Sequence, residues 1–291
     1  MRLPPALQIL RVPQWIKNIL VFAAILFAQR MSDPHDWLLT GTAFFAFCLV
    51  SSAFYIYNDL FDIEQDRVHP DKQHRPLARG AISKRAAKIE CVVVLAAGVG
   101  LAWTLGLGFL ALIVGYALLQ LLYNSLLKHL ILADVACIAA GFVLRAVAGA
   151  IAIDVFISPW LVICTFCLCV FIGFCKRYCE LHSLQESDPG HHRKTLDRYT
   201  QPFLLQSMRL SGGTAILLFL LYTASPQTVE RFGSMRLAWS LPMVIFCIYR
   251  MAKVSIAGRY SDPVAIVFGD RPLQIGFLCW LVAVTGLVLM G

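Results

Sequence analysis

Long apolar runs are the feature that most constrains what this chain can fold into. A helix needs about 20 largely apolar residues to cross a bilayer, and runs of that length recur along the whole sequence. Inside the bilayer a helix also satisfies its own backbone hydrogen bonds. We therefore predict an all-α integral membrane protein with nine transmembrane helices. They cover roughly residues 15–31, 37–58, 86–106, 108–126, 130–152, 156–175, 203–223, 236–255 and 272–290.

The composition agrees with a lipid-exposed surface. Hydrophobic residues make up 59% of the 291 residues, and charged residues make up 14%. A soluble domain carries about a quarter charged residues, so this chain has too few to cover a water-exposed surface of its size. No polar linker divides it, and we predict a single transmembrane domain over residues 1–291.

The distribution of Lys and Arg predicts the orientation, because cytoplasmic loops of membrane proteins are enriched in both. With the N-terminus in the cytoplasm, 20 of the 25 Lys and Arg residues fall on the cytoplasmic side. Three fall on the opposite side. We therefore expect a cytoplasmic N-terminus, a C-terminus outside, and cytoplasmic active-site loops at about 59–85 and 176–202.

The net charge of +8 limits the class of ligand. A basic protein can bind nucleic acid, anionic lipid or an anionic substrate. The basic residues lie in short loops between apolar spans, with no RNA- or DNA-binding motif, so we exclude nucleic acid. Membrane topology explains part of the excess charge, and a phosphorylated substrate could explain more.

The first polar loop opens with an acidic run. If span two continues as a helix, Asp59, Asp62 and Asp66 share one face. Three such carboxylates repel one another unless a cation lies between them, and Mg²⁺ prefers oxygen ligands of this kind. A solvated acidic helix end is the alternative. Asn58 beside the cluster and Arg75 after it favour a site for Mg²⁺ and diphosphate.

The second polar loop begins where span six ends, with Lys176, Arg177, Tyr178 and Glu180. The two basic residues could be ordinary interfacial anchors. They are followed, however, by a basic run over 193–199 suited to phosphate oxygens. Glu180 follows the span by less than two helical turns, at the level predicted for the aspartates.

Five further residues lie at or within the spans. Lys17 opens span one, where a lysine that reaches the interface is common, and Tyr123 and Lys128 close span four. Asp134 and Arg145 share a face of span five, but three helical turns separate them by about 16 Å, which is too far for an ion pair. Ionisable groups within a span usually face the bundle interior, so separate roles or partners on other helices are expected.

These residues carry a family resemblance. The Asn-Asp-x-x-Asp-x-x-x-Asp sequence that begins at Asn58 resembles the first aspartate motif of the UbiA superfamily of intramembrane prenyltransferases. The spacing of Tyr123 and Lys128 resembles that family's tyrosine–lysine element. The nine-span layout also matches, so the resemblance covers the whole chain and implies a UbiA-like helical bundle.

The second loop departs from the Asp-rich second motif of aromatic prenyltransferases. Residues 176–182, together with residues 11–18 and Arg75-Pro76, resemble the branch called decaprenyl-phosphate phosphoribosyltransferase. Members of that branch transfer 5-phosphoribose from phosphoribosyl pyrophosphate (PRPP) to a polyprenyl phosphate. Their product feeds arabinose donors for cell-wall glycans.

The resemblance implies a Mg²⁺-dependent transferase of a bacterial inner (plasma) membrane, with PRPP and polyprenyl phosphate as substrates. It also suggests a homo-oligomer, with a trimer as the candidate state. The implied metal ligands are Asp59, Asp62 and Asp66, and the implied catalytic residues are Asp59, Asp62 and Glu180. The implied substrate-binding residues are Lys17, Asn58, Arg75, Tyr123, Lys128, Lys176, Arg177 and Tyr178.

The chemistry of the second loop agrees with this branch. Lys, Arg and one Glu in place of aspartates lower the capacity for metal and raise the capacity for anions. PRPP carries a 5-phosphate beyond its diphosphate, and the lipid acceptor adds another phosphate. Two alternatives stay open: a UbiA-type prenyltransferase with an aromatic acceptor, and a transporter or flippase. A transporter predicts charge near the bilayer midplane, whereas here charge is concentrated at one interface.

Overall fold

The computed structural model describes residues 4–68, 72–185, 199–232 and 235–289. Every regular element in this described part is helical, which confirms the predicted all-α class. Contacts divide the chain into two compact units, Met1–Lys128 with Leu144–Ile157 and His129–Val143 with Ser158–Gly291. The expectation of one transmembrane domain stays a prediction.

The first unit begins with short elements and continues with long helices. Helix α1 (Pro5–Ile9) leads into a 3-10 helix, Val12–Phe22, and then into α2 (Ala23–Phe27). Asp33 caps the next helix by accepting a hydrogen bond of 2.9 Å from the backbone N–H of His35. The helices that follow are α3 (Pro34–Phe61), α4 (Ile63–Val68), α5 (Lys84–Thr104), α6 (Leu107–Ser125) and α7 (Ala133–Ala152), of which α7 belongs to this unit from Leu144 onward.

The core of the first unit contains aromatic side chains among aliphatic ones, and a buried arginine contacts two of the aromatic rings. The ring centroids of Phe47 and Tyr116 lie 5.3 Å apart. Arg145 donates from Nε to Asn18 Oδ1 at 2.6 Å and from Nη2 to the Tyr116 hydroxyl at 2.9 Å. Its guanidinium also lies 4.9 Å from the Tyr116 ring centroid, a favourable distance for a cation–π contact. These partners lie on other helices, which is one of the two alternatives that the sequence left open for Arg145.

The second unit begins with the first half of α7 and continues to the end of the described chain. A cluster of buried side chains that includes Val135, Phe171 and Met208 forms its core. Its further elements are α8 (Pro159–Gln185), α9 (Gln201–Ala224), α10 (Pro226–Phe232), a 3-10 helix (Met235–Ser240), α11 (Leu241–Ile256), α12 (Pro263–Gly269) and α13 (Arg271–Leu289).

Helices α12 and α13 meet at an angle of 84°. Asp270, at this corner, accepts a hydrogen bond of 2.9 Å from the backbone N–H of Leu273 and so caps α13. Arg250 on α11 binds both carboxylate oxygens of Asp270, at 2.9 Å and 2.8 Å. The side-chain amide of Gln274 donates to the carbonyls of Val267 and Phe268 at the end of α12. The corner therefore has its own set of polar contacts.

The number of membrane spans is close to the prediction but does not confirm nine. In the described ranges, seven helices are long and apolar enough to cross a membrane, or eight if α12 and α13 count as one bent span. The first predicted span, 15–31, corresponds to a shorter apolar segment, Val12–Phe27. Because a 3-10 helix rises ~2.0 Å per residue rather than ~1.5 Å, this segment reaches farther than an α-helix of equal length.

Two predicted boundaries differ from the structure, and both bear on the site. Helix α8 continues to Gln185, ten residues beyond the predicted end of span six, so Lys176–Glu180 lies on a helix rather than in a loop. Helix α3 continues to Phe61 and then breaks at Asp62. Apolar content marked the membrane-spanning part of each helix but not its polar extension.

Gly149 allows a close approach within the first unit, and this gives a test of the fold. A Cβ at Gly149 would lie 1.9 Å from the carbonyl oxygen of Val21. We expect Gly149→Ala to lower stability by about 1–3 kcal/mol, because the backbone at Val21 must move. The measurement is thermal unfolding of the purified protein in detergent.

Gly100 provides the matched control, since a Cβ there meets nothing within 4 Å. Gly100→Ala should leave the melting temperature unchanged or raise it slightly, because alanine is the better helix former. Equal melting temperatures for Gly149→Ala and the unsubstituted protein would contradict the packing described.

Candidate active site

The three aspartates of the first motif lie on both sides of a helix break. Asp59 is buried in the last turn of α3, Asp62 ends that helix with φ −97° and ψ 13°, and Asp66 is buried in α4. The conditional prediction of one continuous helix face is therefore wrong. Asp59 and Asp66 share one basic partner, whereas Asp62 has another.

Arg75 joins Asp59 and Asp66. Its Nη1 lies 3.0 Å from Oδ1 of Asp59 and 2.5 Å from Oδ2 of Asp66. One cationic nitrogen thus lies between two buried carboxylates, which would otherwise repel each other. The sequence predicted Mg²⁺ among three aspartates, whereas here the cation is a guanidinium and it lies between two of them.

Arg11 is a second partner of Asp59 to which sequence reasoning assigned no role. Its Nη2 contacts the same Oδ1 of Asp59 that Arg75 binds. Burial lowers the pKa of Arg11, and the charge of Asp59 opposes this effect. The one available indication was its place in the 11–18 segment, since 48 residues separate it from Asp59 and no local spacing predicts the contact.

The backbone at Arg11 has an unusual conformation, which hydrogen bonds to neighbouring residues stabilise. Arg11 has φ 53° and ψ 48°, in the left-handed region that non-glycine residues seldom adopt. The hydroxyl of Ser52 donates to the carbonyl of Leu10 at 2.7 Å, and Trp15 Nε1 donates to that hydroxyl at 3.0 Å. These contacts fix the junction that directs the Arg11 side chain to Asp59.

Asp62 binds the tyrosine–lysine element instead of sharing a cation with the other aspartates. Lys128 Nζ lies 3.1 Å from Oδ1 and 3.4 Å from Oδ2 of Asp62, and 5.1 Å from the Phe61 ring centroid. Lys128 is buried, and it lies in the short 3-10 segment Leu127–His129 that follows α6. Two motifs 66 residues apart therefore meet in one ion pair.

The other predicted residues of the first unit lie at half-buried positions. Lys17 Nζ is 5.9 Å from the ring centroid of Tyr55, and Arg11 lies 5.2 Å from the same ring. Asn58 is in the last turn of α3, where its backbone carbonyl accepts a hydrogen bond of 2.9 Å from Asp62. Tyr123 is in the last turn of α6.

Three basic and three acidic side chains of the first unit contact one another in the pairs described above. We call Arg11, Asp59, Asp62, Asp66, Arg75 and Lys128 the first cluster. Among the described residues, no group of three or more His, Cys, Asp and Glu side chains could hold a metal ion together. Asp59 and Asp66 nevertheless fit such a role as a pair, because they already surround one cation, and Mg²⁺ commonly takes one or two carboxylates plus substrate phosphates.

A second group of ionic side chains lies in the second unit, around Arg177 on α8. We call Asp134, Lys176, Arg177, Glu180 and Tyr199 the second cluster. Arg177 is 1% exposed, and its Nε lies 2.6 Å from Oδ2 of Asp134. Its Nη1 contacts Oε2 of Glu180. The hydroxyl of Tyr199 donates to Oδ1 of Asp134 at 2.8 Å.

Neighbouring residues of α8 differ in accessibility. Tyr178 is buried, and its hydroxyl accepts a hydrogen bond of 2.8 Å from the side-chain amide of Gln201. Lys176 and Glu180 are more accessible, with side chains 33% and 26% exposed, and their charged atoms lie 3.8 Å apart. Of the predicted residues here, Lys176 and Glu180 are thus the accessible ones. The predicted basic residues Arg193 and Lys194 lie outside the described residues.

Comparison with known proteins identifies the family. The sequence model of the UbiA prenyltransferase family matches residues 19–266. The chain belongs to the UbiA prenyltransferase family. Together with its apolar helices, this membership identifies an integral membrane protein of transferase type.

Two relatives that each cover more than 90% of this chain carry the same name. A decaprenyl-phosphate phosphoribosyltransferase of Mycolicibacterium smegmatis is 32% identical, with 93% of this chain and 88% of the relative covered. A protein of the same name from Corynebacterium glutamicum is 30% identical, with 94% and 83% covered.

A solved structure shows the same fold. The UbiA homologue from Archaeoglobus fulgidus, determined with GPP and Mg²⁺ bound, superposes with a TM-score of 0.71. The comparison covers 98% of this chain and 99% of that one at 17% sequence identity. This confirms the UbiA-like arrangement of helices that the motifs predicted.

The ion pair between Asp62 and Lys128 can be tested by a double-mutant cycle. We expect Asp62→Asn and Lys128→Met each to lower the melting temperature, because each leaves a largely buried charge without its partner. The double variant should lose less than the sum, with a coupling of about 0.5–3 kcal/mol.

The exposed pair Glu64–Lys84, 3.5 Å apart in the same unit, serves as the control. Its cycle of Glu64→Gln and Lys84→Met should give a coupling of roughly 0–1 kcal/mol, as is usual for solvated pairs. If both cycles gave the same coupling, the Asp62–Lys128 contact would contribute no more than a surface pair.

Proposed function

We propose that this protein transfers 5-phosphoribose from PRPP to a polyprenyl phosphate and releases diphosphate. The observation that carries the proposal is the similarity, over most of both chains, to proteins named decaprenyl-phosphate phosphoribosyltransferase. The basic side chains that form ion pairs with the aspartates also support the proposal, because both substrates carry phosphate groups that such side chains bind. A role in cell-wall arabinose supply and a trimeric state, which the resemblance implies, belong to the same proposal.

The first cluster is proposed to bind the diphosphate of the donor. Asp59 and Asp66 would hold Mg²⁺, which when bound neutralises charge on the leaving diphosphate. Arg75 lies between these carboxylates, and on donor binding its guanidinium would release them and bind phosphate oxygens. Arg11, on the same carboxylate oxygen of Asp59, is available for the same exchange. Guanidinium groups suit this task because they bind carboxylate and phosphate in the same geometry.

Four further predicted residues take supporting roles in the proposal. Lys176 would bind phosphate oxygens, and Glu180 would accept a hydrogen bond from a ribose hydroxyl. Lys17 and Lys128 are weaker candidates for phosphate binding, since Lys128 is already paired with Asp62. PRPP is water-soluble, so the proposed orientation has a cytoplasmic N-terminus and donor site, with the C-terminus outside the bacterial inner membrane.

The chemical step needs little from the protein beyond positioning. A phosphate oxygen of the lipid forms a bond to C1 of ribose while the bond from C1 to the diphosphate oxygen breaks. The lipid phosphate is anionic near pH 7, so no general base is required. Placement of the two anions and stabilisation of the departing charge would supply the catalysis, and in-line attack would invert C1.

A transfer assay tests the proposed function directly. Purified protein with Mg²⁺, PRPP and a polyprenyl phosphate should yield a lipid heavier by one phosphoribosyl group, detected by mass spectrometry. Asp66→Asn should reduce kcat/KM for PRPP by roughly 10- to 150-fold, which corresponds to one lost charge-assisted contact.

Glu64→Gln is the matched control, since Glu64 is an exposed acidic residue in the same short helix as Asp66. It should retain the rate of the unsubstituted protein. Transfer of a prenyl group from geranyl diphosphate to an aromatic acceptor, without any reaction of PRPP, would replace the proposal with the prenyltransferase alternative.

Arg75 and Mg²⁺ are proposed to bind the same two carboxylates, and this gives a separate prediction about metal binding. Arg75→Gln should lower the melting temperature in EDTA, because Asp59 and Asp66 lose the cation between them. Added Mg²⁺ should then raise the melting temperature of this variant more than that of the unsubstituted protein, whose arginine competes for the site. Thermal unfolding in detergent with and without Mg²⁺ measures both effects.

Arg67→Gln is the control, since Arg67 is an exposed arginine paired with Glu64 in the same unit. It should respond to Mg²⁺ as the unsubstituted protein does. An identical Mg²⁺ response in Arg75→Gln and Arg67→Gln would show that Asp59 and Asp66 do not hold the metal.

A further inference from the structure

Asp134 lies at the centre of the second cluster, although no ligand-binding motif contains it. It is 1% exposed and sits in the first turn of α7. One of its oxygens lies 2.6 Å from Nε of Arg177, and the other accepts from Tyr199 at 2.8 Å. A single buried carboxylate therefore joins the start of α7, the polar end of α8 and the residue two positions before α9.

The charge of Arg177 explains why a carboxylate is needed at this position. A buried cation without a counter-charge is strongly destabilising, and Asp134 supplies that counter-charge at a fully buried position. Nη1 of Arg177 is thereby directed to Oε2 of Glu180, while Lys176 lies 3.8 Å from the other oxygen. The carboxylate of Glu180 is thus held from both sides, and its orientation depends on Arg177.

Tyr199 extends the same set of contacts to the backbone before α7. Its hydroxyl accepts a hydrogen bond of 2.9 Å from the N–H of Leu132, so its own proton must point to Asp134. Burial raises the pKa of Tyr199, which keeps that proton in place. Leu132 has φ 66°, a strained value for a leucine, and the Tyr199 contact helps to hold it.

We propose that Asp134 is a positioning residue that orients Glu180 for the donor ribose by fixing Arg177, and that Tyr199 secures Asp134. This rests on the proposed function, because a ribose hydroxyl of PRPP is the group that would donate a hydrogen bond to Glu180. Arg177 then acts through Glu180 and not as a phosphate ligand. Asp134 itself does not touch the substrate.

The kinetic test uses charge compensation. Asp134→Asn leaves Arg177 without its buried counter-charge and should lower the melting temperature. The double variant Asp134→Asn/Arg177→Gln removes both charges and should recover most of that loss. Its kcat/KM for PRPP should nevertheless stay roughly 10-fold or more below the unsubstituted value, with an unchanged KM for polyprenyl phosphate, because Glu180 is no longer oriented.

The Arg250–Asp270 pair is the matched control, as an ion pair of the same unit at the α12–α13 corner. Arg250→Gln/Asp270→Asn should keep full kcat/KM for PRPP wherever its melting temperature permits assay. If Asp134→Asn/Arg177→Gln recovered both stability and full kcat/KM, Asp134 would have a structural role alone, and the proposal would be overturned.

Tyr199→Phe keeps the ion pair and gives a readout that needs no substrate. The Leu132 amide should then exchange with deuterium at least 10-fold faster, measured on peptides that contain residue 132, because its acceptor is gone. Unchanged exchange would overturn the role of Tyr199, even if the double variant failed to fold. A protein that ignores PRPP while this exchange result holds would refute the proposed function and leave the Asp134 contacts intact.

Discussion

Neutralisation of buried charge is the constraint on which the rest of this structure depends. Arg75 lies between Asp59 and Asp66, and Arg177 is buried against Asp134. None of these groups could stay ionised in an apolar surrounding without its partner. Because the partners come from different segments, the ion pairs also decide which segments meet. The charged residues thus hold together the polar ends of the helices.

The apolar parts of the fold were predictable because their information is local. Residues 86–106 and 203–223 were predicted as spans, and the structure has Lys84–Thr104 and Gln201–Ala224. The polar end of α8 was not predicted, because apolar content gives no signal for a helix that continues to Gln185 beyond the apolar run. The hydrophobic pattern of Val12–Phe22 likewise does not show that this segment forms a 3-10 helix.

The candidate site was predictable in its residue types but not in its pairings. The aspartate motif and Lys128 were identified from spacing, yet which aspartate meets which cation is decided by contacts across long stretches of chain. Arg11 shows this most clearly, since a left-handed backbone and a hydroxyl on α3 direct it to Asp59. Asp134 and Arg145 share a helix face, but their partners lie 43 and 127 residues away in sequence.

The corner between α12 and α13 has a mechanical consequence. A bend in a membrane protein is tolerated only where the interrupted backbone groups find other partners. Here the side-chain amide of Gln274 donates to the carbonyls that end α12, and Asp270, itself held by Arg250, accepts from the N–H of Leu273 in the first turn of α13. Straightening the two helices would break all of these contacts at once. The angle between α12 and α13 is therefore stabilised by side chains at both ends of the corner and by Arg250 on α11.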